Sequence, residues 1–169
     1  MTIKDLFLKE WEYESEMTLK VLNALPEDQF GWKPHEKSML LGKLAYHVAD
    51  IPNWANFILL APEIDFAKPF ENNRPDPLTK ADVLAHFAQT SARLIEILNG
   101  ASEALFDEPW SIRVGEKVMI TYPKGSAYRD VLMNHLVHHR GQLTVYLRLL
   151  NIPVPATYGP SADDSMGLF

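Results

Sequence analysis

Apolar residues recur along most of this chain with the spacing of one helix face, and that period divides it into four helical segments. In the first, Thr2 followed three residues on by Asp5 has the form of a capping box, and Phe7, Trp11, Thr18, Val21, Leu22 and Leu25 carry the stripe as far as Pro26. A polar, proline-containing loop over 27–37 leads to Ser38, a candidate N-cap for the second helix. The stripe there is Leu40, Leu44, Val48, Ile51, Trp54, Ala55 and Ile58. It keeps its period across Pro52, which predicts a kink rather than a stop, with an end near Ala61-Pro62. Residues 63–78 hold five Pro and Asn residues and little periodicity, the pattern of a long crossover that lets the second and third helices run in the same direction.

Thr79 with Asp82 opens the third helix, whose stripe of Leu84, Phe87, Leu94, Ile95 and Leu98 surrounds the small Ser91 and closes at Gly100. His86 lies off that stripe and reads as a surface histidine. Between Trp110 and Tyr122, the β-branched Ile112, Val114, Val118 and Ile120 flank Gly115-Glu116, which predicts a small hairpin. The fourth helix spans 126–150, with Tyr128, Leu132, Leu136, Leu143, Tyr146, Leu147 and Leu150 on its apolar face. After Asn151 prolines and glycines are too frequent for regular structure, but Ile152, Val154 and Tyr158 are placed to pin the tail across the helices. The pattern predicts an all-α four-helix bundle with a small hairpin before the last helix. At 169 residues it is one domain, residues 1–169, with a substantial core.

Three histidines fall inside these stripes. His135 and His139 are spaced i, i+4 on the fourth helix and so project from one face, while His47 lies within the stripe of the second. The neighbouring His138 sits roughly 120° from the centre of its stripe, which turns it towards solvent or a partner. A lone histidine on an apolar face is more often a core residue than a ligand. Three that converge on one interior make a metal site, with three protein ligands and open positions, the pattern of catalytic rather than closed structural zinc.

With 22 acidic against 16 basic residues, a net charge of −6 and no lysine or arginine cluster, the chain lacks the footprint of a nucleic-acid or anionic-membrane binder. A small neutral or cationic ligand, or another protein, is the expected partner. The absence of cysteine excludes disulfides, thiolate ligands and a cysteine nucleophile, so thiol chemistry would need an external thiol. The N-terminal run mixes charge through every turn, unlike a signal or transit peptide, and the longest apolar stretch, 54–62, is far too short to span a bilayer. A soluble cytoplasmic protein is expected. No G-x-S-x-G, P-loop, G-x-G-x-x-G or H-E-x-x-H motif is present.

The carboxylates Glu10 and Glu14 lie on or beside the first stripe, Glu14 deeper. Glu14 reads either as a general base or orienting partner of a ligating histidine, or as a boundary residue whose carboxylate reaches water. Asp50, about one turn after His47, has the same standing. Trp11 and Trp54 are able to wall a pocket, but aromatics at helical spacing are usually core, and neither is assigned a site role.

The runs KSMLLGKLAYHVADIPNW, NHLVHHRGQLTVYLRLLNIPVPATYGPSADD and LNALPEDQFGWKPHEKS resemble the DinB-like (DinB/YfiT) superfamily of metal-binding four-helix bundles, most specifically in H-x-x-x-H-R-G-Q and the P-x-x-Y-G tail. The resemblance implies an up-down-down-up bundle, a homodimer, and a divalent ion, zinc or nickel, held by His47, His135 and His139 with water completing the shell. Apolar and aromatic residues leaning towards the surface fit the dimer. The family name is shared with an unrelated DNA polymerase and implies no DNA chemistry. Some relatives transfer low-molecular-weight thiols such as bacillithiol or mycothiol to electrophiles, and others isomerise or hydrolyse small molecules. The resemblance therefore implies a metal-dependent transferase, with thiol transfer ahead of hydrolysis, and leaves the base unassigned. The competing reading is a non-catalytic, stress-related bundle whose metal stabilises the fold or a dimer interface.

Overall fold

A computed structural model describes residues 1–69 and 78–167. The first helix, α1, is Ile3–Ala24. Its capping box is formed: Thr2 Oγ1 accepts from Asp5 N at 3.1 Å, and Thr2 N donates to Asp5 Oδ2 at 3.0 Å. Phe7, Trp11, Thr18, Val21, Leu22 and Leu25 are all buried, as the stripe requires.

The second helix begins later than Ser38. It is α2, Leu41–Asp50, and no side chain caps it. The preceding loop does so instead, Leu41 N donating to Trp32 O at 2.8 Å and Gly42 N to Phe30 O at 3.0 Å. These carbonyls satisfy amides that a helix start leaves open, so a serine cap has nothing left to do. Gly42 makes the approach possible, since a Cβ there would lie 2.9 Å from Cβ of Phe30. Beyond Asp50 the chain stays helical across Pro52, tightening into a 3₁₀ turn, Ile51–Trp54, before resuming as α3, Ala55–Leu59. The end falls two residues short of Ala61.

The 63–78 connection contains a strand that periodicity did not show: β1, Glu63–Asp65. Residues 70–77 of the expected crossover lie outside the described residues. The hairpin forms as expected from β2, Pro109–Val114, and β3, Lys117–Pro123, with Gly115 at φ +59° in the turn. β1 adds to β2 in parallel, giving a three-stranded sheet in the order β1-β2-β3. It anchors the end of α3 through Trp110, whose Nε1 donates to Phe57 O at 2.7 Å, and Lys124, the residue after β3, adds a bond from Nζ to Leu59 O at 3.0 Å.

Helix α4, Lys80–Gly100, carries its capping box at Thr79 and Asp82. Its buried face is Val83, Phe87, Thr90, Leu94, Ile97 and Leu98, rotated from the expected stripe, and Ile95 is exposed. Thr90 sits in that face because its hydroxyl donates to Ala49 O at 2.7 Å, which removes the cost of burying it. The final helix starts at Lys124 with α5, Lys124–Ala127, passes through a π turn, Tyr128–Met133, and continues as α6, Asn134–Leu149.

The architecture is thus four helical rods and a small sheet. α1 and α2 each pack against both α4 and α6, and the 3₁₀ turn packs against the π turn. Among the described residues no helix is long and apolar enough to cross a membrane.

The tail is irregular and pinned as expected. Ile152 and Val154 pack on the core, and the Tyr158 hydroxyl donates to Glu14 at 2.8 Å. Arg140, from α6, completes this cluster. Its guanidinium pairs with Glu14 Oε2 at 2.7 Å, donates to Thr18 Oγ1 at 3.1 Å, and donates through Nη2 to the Tyr158 hydroxyl.

Two glycine substitutions should move stability in opposite directions. Gly42→Ala pushes against Phe30 and should cost about 1–3 kcal/mol. Gly141→Ala, inside α6 with no atom within 4 Å of the added Cβ, should gain about 0.5–1 kcal/mol. Urea unfolding of both variants measures the signs.

Candidate metal centre

The two histidine-bearing rods bring His47, His135 and His139 together. α2 supplies His47, and successive turns at the start of α6 supply the other two. The distances are short: His47 Nε2 stands 3.1 Å from His135 Nε2, and His135 Nε2 stands 2.9 Å from His139 Nε2. Among the described residues these three form the cluster without any carboxylate.

Hydrogen bonding alone does not account for this geometry. A ring nitrogen offers one proton or one lone pair, yet His135 Nε2 faces two other ring nitrogens. A shared cation resolves the conflict by letting all three lone pairs point inward. Nitrogens bound to one ion at ~2.0–2.1 Å stand ~2.8–3.4 Å apart for angles between 90° and tetrahedral, and the observed separations of 3.1 and 2.9 Å lie in the lower part of that range. The residues present fit a divalent metal ion.

Protonation is disfavoured as well. Burial pushes the imidazoles of His47 and His135 down to about 4, aided by the neighbouring His139, and burial lowers His139 too. The rings are held in the neutral form a metal needs. Only His139 is fully buried, and His47 and His135 each keep an intermediate exposure.

Trp54 forms one wall, its ring centroid 4.7 Å from that of His135 and 5.8 Å from that of His47, with Phe57 beside it at 5.9 Å. Trp54 therefore does line the cluster, while Trp11 is core, packed against Phe87. Gln142 carried no signal in the apolar pattern, yet its Oε1 lies 2.8 Å from His139 Nδ1. Its position, i+3 from His139, was the available clue. Its Nε2 lies 3.1 Å from Nε2 of His138, which is exposed as expected.

The candidate carboxylates are committed elsewhere. Glu14 is buried and paired with Arg140 and Tyr158, so its carboxylate does not reach water. Glu10 pairs with Arg129 at 2.5 Å. Asp50 accepts from His86 at 2.8 Å on the α4 side, and the His86 ring stacks on Tyr46 with centroids 4.5 Å apart. His86 is thus a half-buried, paired group rather than a free surface histidine.

Acid should unfold the metal-free protein through this cluster. His47 and His135 have folded values near 4 against about 6.5 unfolded, so below 6.5 the unfolded chain takes up more protons. Their contribution is fully present above about pH 6.5 and is lost as pH falls towards 4. Thermal unfolding of the apoprotein should show a midpoint that drops over that window, and less steeply in His47→Phe.

Comparison with known proteins shows the family and the fold. The chain is 30% identical to the uncharacterized protein YrdA of Bacillus subtilis (strain 168) over 162 residues, 95% of this chain and 90% of that one. It is 29% identical to a second uncharacterized B. subtilis protein, YjoA, over 136 residues, covering 78% of this chain and 80% of that one. The fold is shared with a DinB-like protein of Bacillus cereus ATCC 10987, with a TM-score of 0.66, 24% identity and coverage of 90% of this chain and 95% of that one. It is also shared with the crystal structure of YjoA, with a TM-score of 0.59, 23% identity and coverage of 96% and 97%. The family model described as DinB family matches residues 1–166, and the chain belongs to that family.

Proposed function

We propose that this protein is a divalent-metal-dependent enzyme acting on a small molecule, with transfer of a low-molecular-weight thiol to an electrophile ahead of metal-assisted hydrolysis. The carrying observation is the convergence of three neutral imidazole nitrogens, two of them on partly exposed rings. His47, His135 and His139 hold the ion, zinc or nickel. When bound, such an ion lowers the pKa of a thiol or water at an open position and so supplies a nucleophile at neutral pH.

The chain's own residues set the rest. The partial exposure of His47 and His135 gives a small molecule a way in, which a metal sealed in the core would lack. Trp54 and Phe57 present an aromatic wall beside the histidines, suited to the apolar part of a substrate. With Glu14, Glu10 and Asp50 each paired elsewhere, proton removal falls to solvent or to the thiol's own ionisation. The lack of any cysteine means that a transferred thiol comes from outside the chain.

Elemental analysis tests the ligand set. His47→Ala, His135→Ala and His139→Ala should each lose most bound metal and, with it, thiol–electrophile turnover, whereas His86→Ala and His35→Ala should keep the metal and His138→Ala should still load it at saturating metal. Stoichiometric metal in the His135→Ala/His139→Ala double variant would place the ion elsewhere. Full metal loading without turnover of any thiol or hydrolysable substrate would favour the structural reading.

A homodimer belongs to the same proposal. Leu6, Tyr13, Leu149 and Val145 are exposed on the helices and Val118, Met119 and Ile120 on β3, more apolar surface than a small monomer needs. Light scattering should give about twice the 19.2 kDa chain mass.

A further inference from the structure

Gln142 touches two imidazoles at once, and an amide cannot treat both alike. Its oxygen only accepts and its NH₂ only donates. With Oε1 2.8 Å from His139 Nδ1, that nitrogen must carry the proton, which leaves the lone pair of His139 on Nε2, the atom that faces His135. With Nε2 of Gln142 3.1 Å from Nε2 of His138, that second ring must accept. Reversing the amide would reverse both requirements, placing a proton on His139 Nε2 in the middle of the cluster.

We infer that Gln142 is a positioning residue that sets the tautomer of His139 so that Nε2 is free to bind metal, and that His138 holds the Gln142 amide in the sense this needs. The inference rests on the reading of the three histidines as metal ligands. It also gives His138 a use: the ring turned away from the cluster anchors the far end of the amide, with its centroid 4.9 Å from that of His139. All three residues lie on the first turns of α6, so the arrangement travels with one helix. Outer partners of this kind orient a ligating ring and raise its basicity, and their loss typically weakens metal affinity by about 10–100-fold.

Zinc affinity by chelator competition, near pH 8 where imidazoles are neutral, is compared with nitrogen NMR of the His139 ring in the metal-free protein. Gln142→Leu should weaken zinc binding by about 10–100-fold and shift the His139 proton from Nδ1 to Nε2. Gln142→Glu, which keeps an acceptor facing Nδ1, should retain the tautomer and bind zinc at least as tightly as the unsubstituted protein. His138→Phe should weaken binding less than Gln142→Leu. A merely structural glutamine would change the melting temperature without moving the tautomer. If Gln142→Leu does not fold, Gln142→Met carries the same comparison.

Equal zinc affinity in the leucine variant with an unchanged His139 tautomer overturns the inference, as does an unsubstituted protein whose His139 is protonated on Nε2. If the unsubstituted protein binds no zinc or other divalent ion, the metal reading falls. The tautomer comparison then decides the role of Gln142 by itself.

Discussion

Arg140 reaches from α6 between α1 and the tail and meets Glu14, Thr18 and Tyr158 there. Both charged partners are buried. Taking such a pair out of water costs several kcal/mol per ion, and the cost is offset only where geometry and extra hydrogen bonds are good. Here every partner is supplied, from α1 and from the tail. The pairing therefore fixes the rotation of α6 about its axis. His139 is the adjacent residue, about 100° around the helix, and so it faces α2 whenever Arg140 faces α1. The direction in which the imidazoles point is set by an ion pair on a neighbouring face of the same helix.

Both rods that carry the histidines depart from regular α geometry beside the cluster. The 3₁₀ turn follows His47 by four residues and carries Trp54, and the π turn ends just before Asn134 and His135. These two turns pack against each other. A tightened turn and a widened turn in contact let the rods approach without losing helical continuity, and such irregularities are frequent at functional sites. Proline explains the first, since the Pro52 ring removes a donor. The second has no comparable local residue.

Helices were legible because burial imposes a 3.6-residue period, which is why Phe7, Trp11, Val21, Leu44, Val48, Leu136 and Leu143 could be placed inside without coordinates. The capping boxes at Thr2 and Thr79 are local and were equally readable. What escaped depends on partners distant in sequence. β1 is three residues long and exists through pairing with Ser111, Ile112 and Arg113. Ser38 was displaced by carbonyls of Phe30 and Trp32. His86 read as a surface residue because its partner, Asp50, lies on another helix. The face of α4 was rotated because Thr90 finds an acceptor on α2, and polar residues at interfaces carry no hydropathic signal. The three clustered histidines were found because they share the apolar stripes, whereas Gln142 is polar at the flank of its stripe and takes its meaning from two rings in contact with it.

The contact between Glu14 and Tyr158 spans 144 residues of chain. Helical bundles usually fold quickly because their contacts are local, and closing a loop of this size comes at an entropic cost before any reward. During synthesis α1 emerges long before Arg140 and Tyr158, which must follow before they can enclose its buried carboxylate. Until then Glu14 stays hydrated and α1 undocked at that turn. Completion of the bundle is thus tied to the segment that follows α6, and a polypeptide lacking that segment would expose the charge that holds α1 and α6 together.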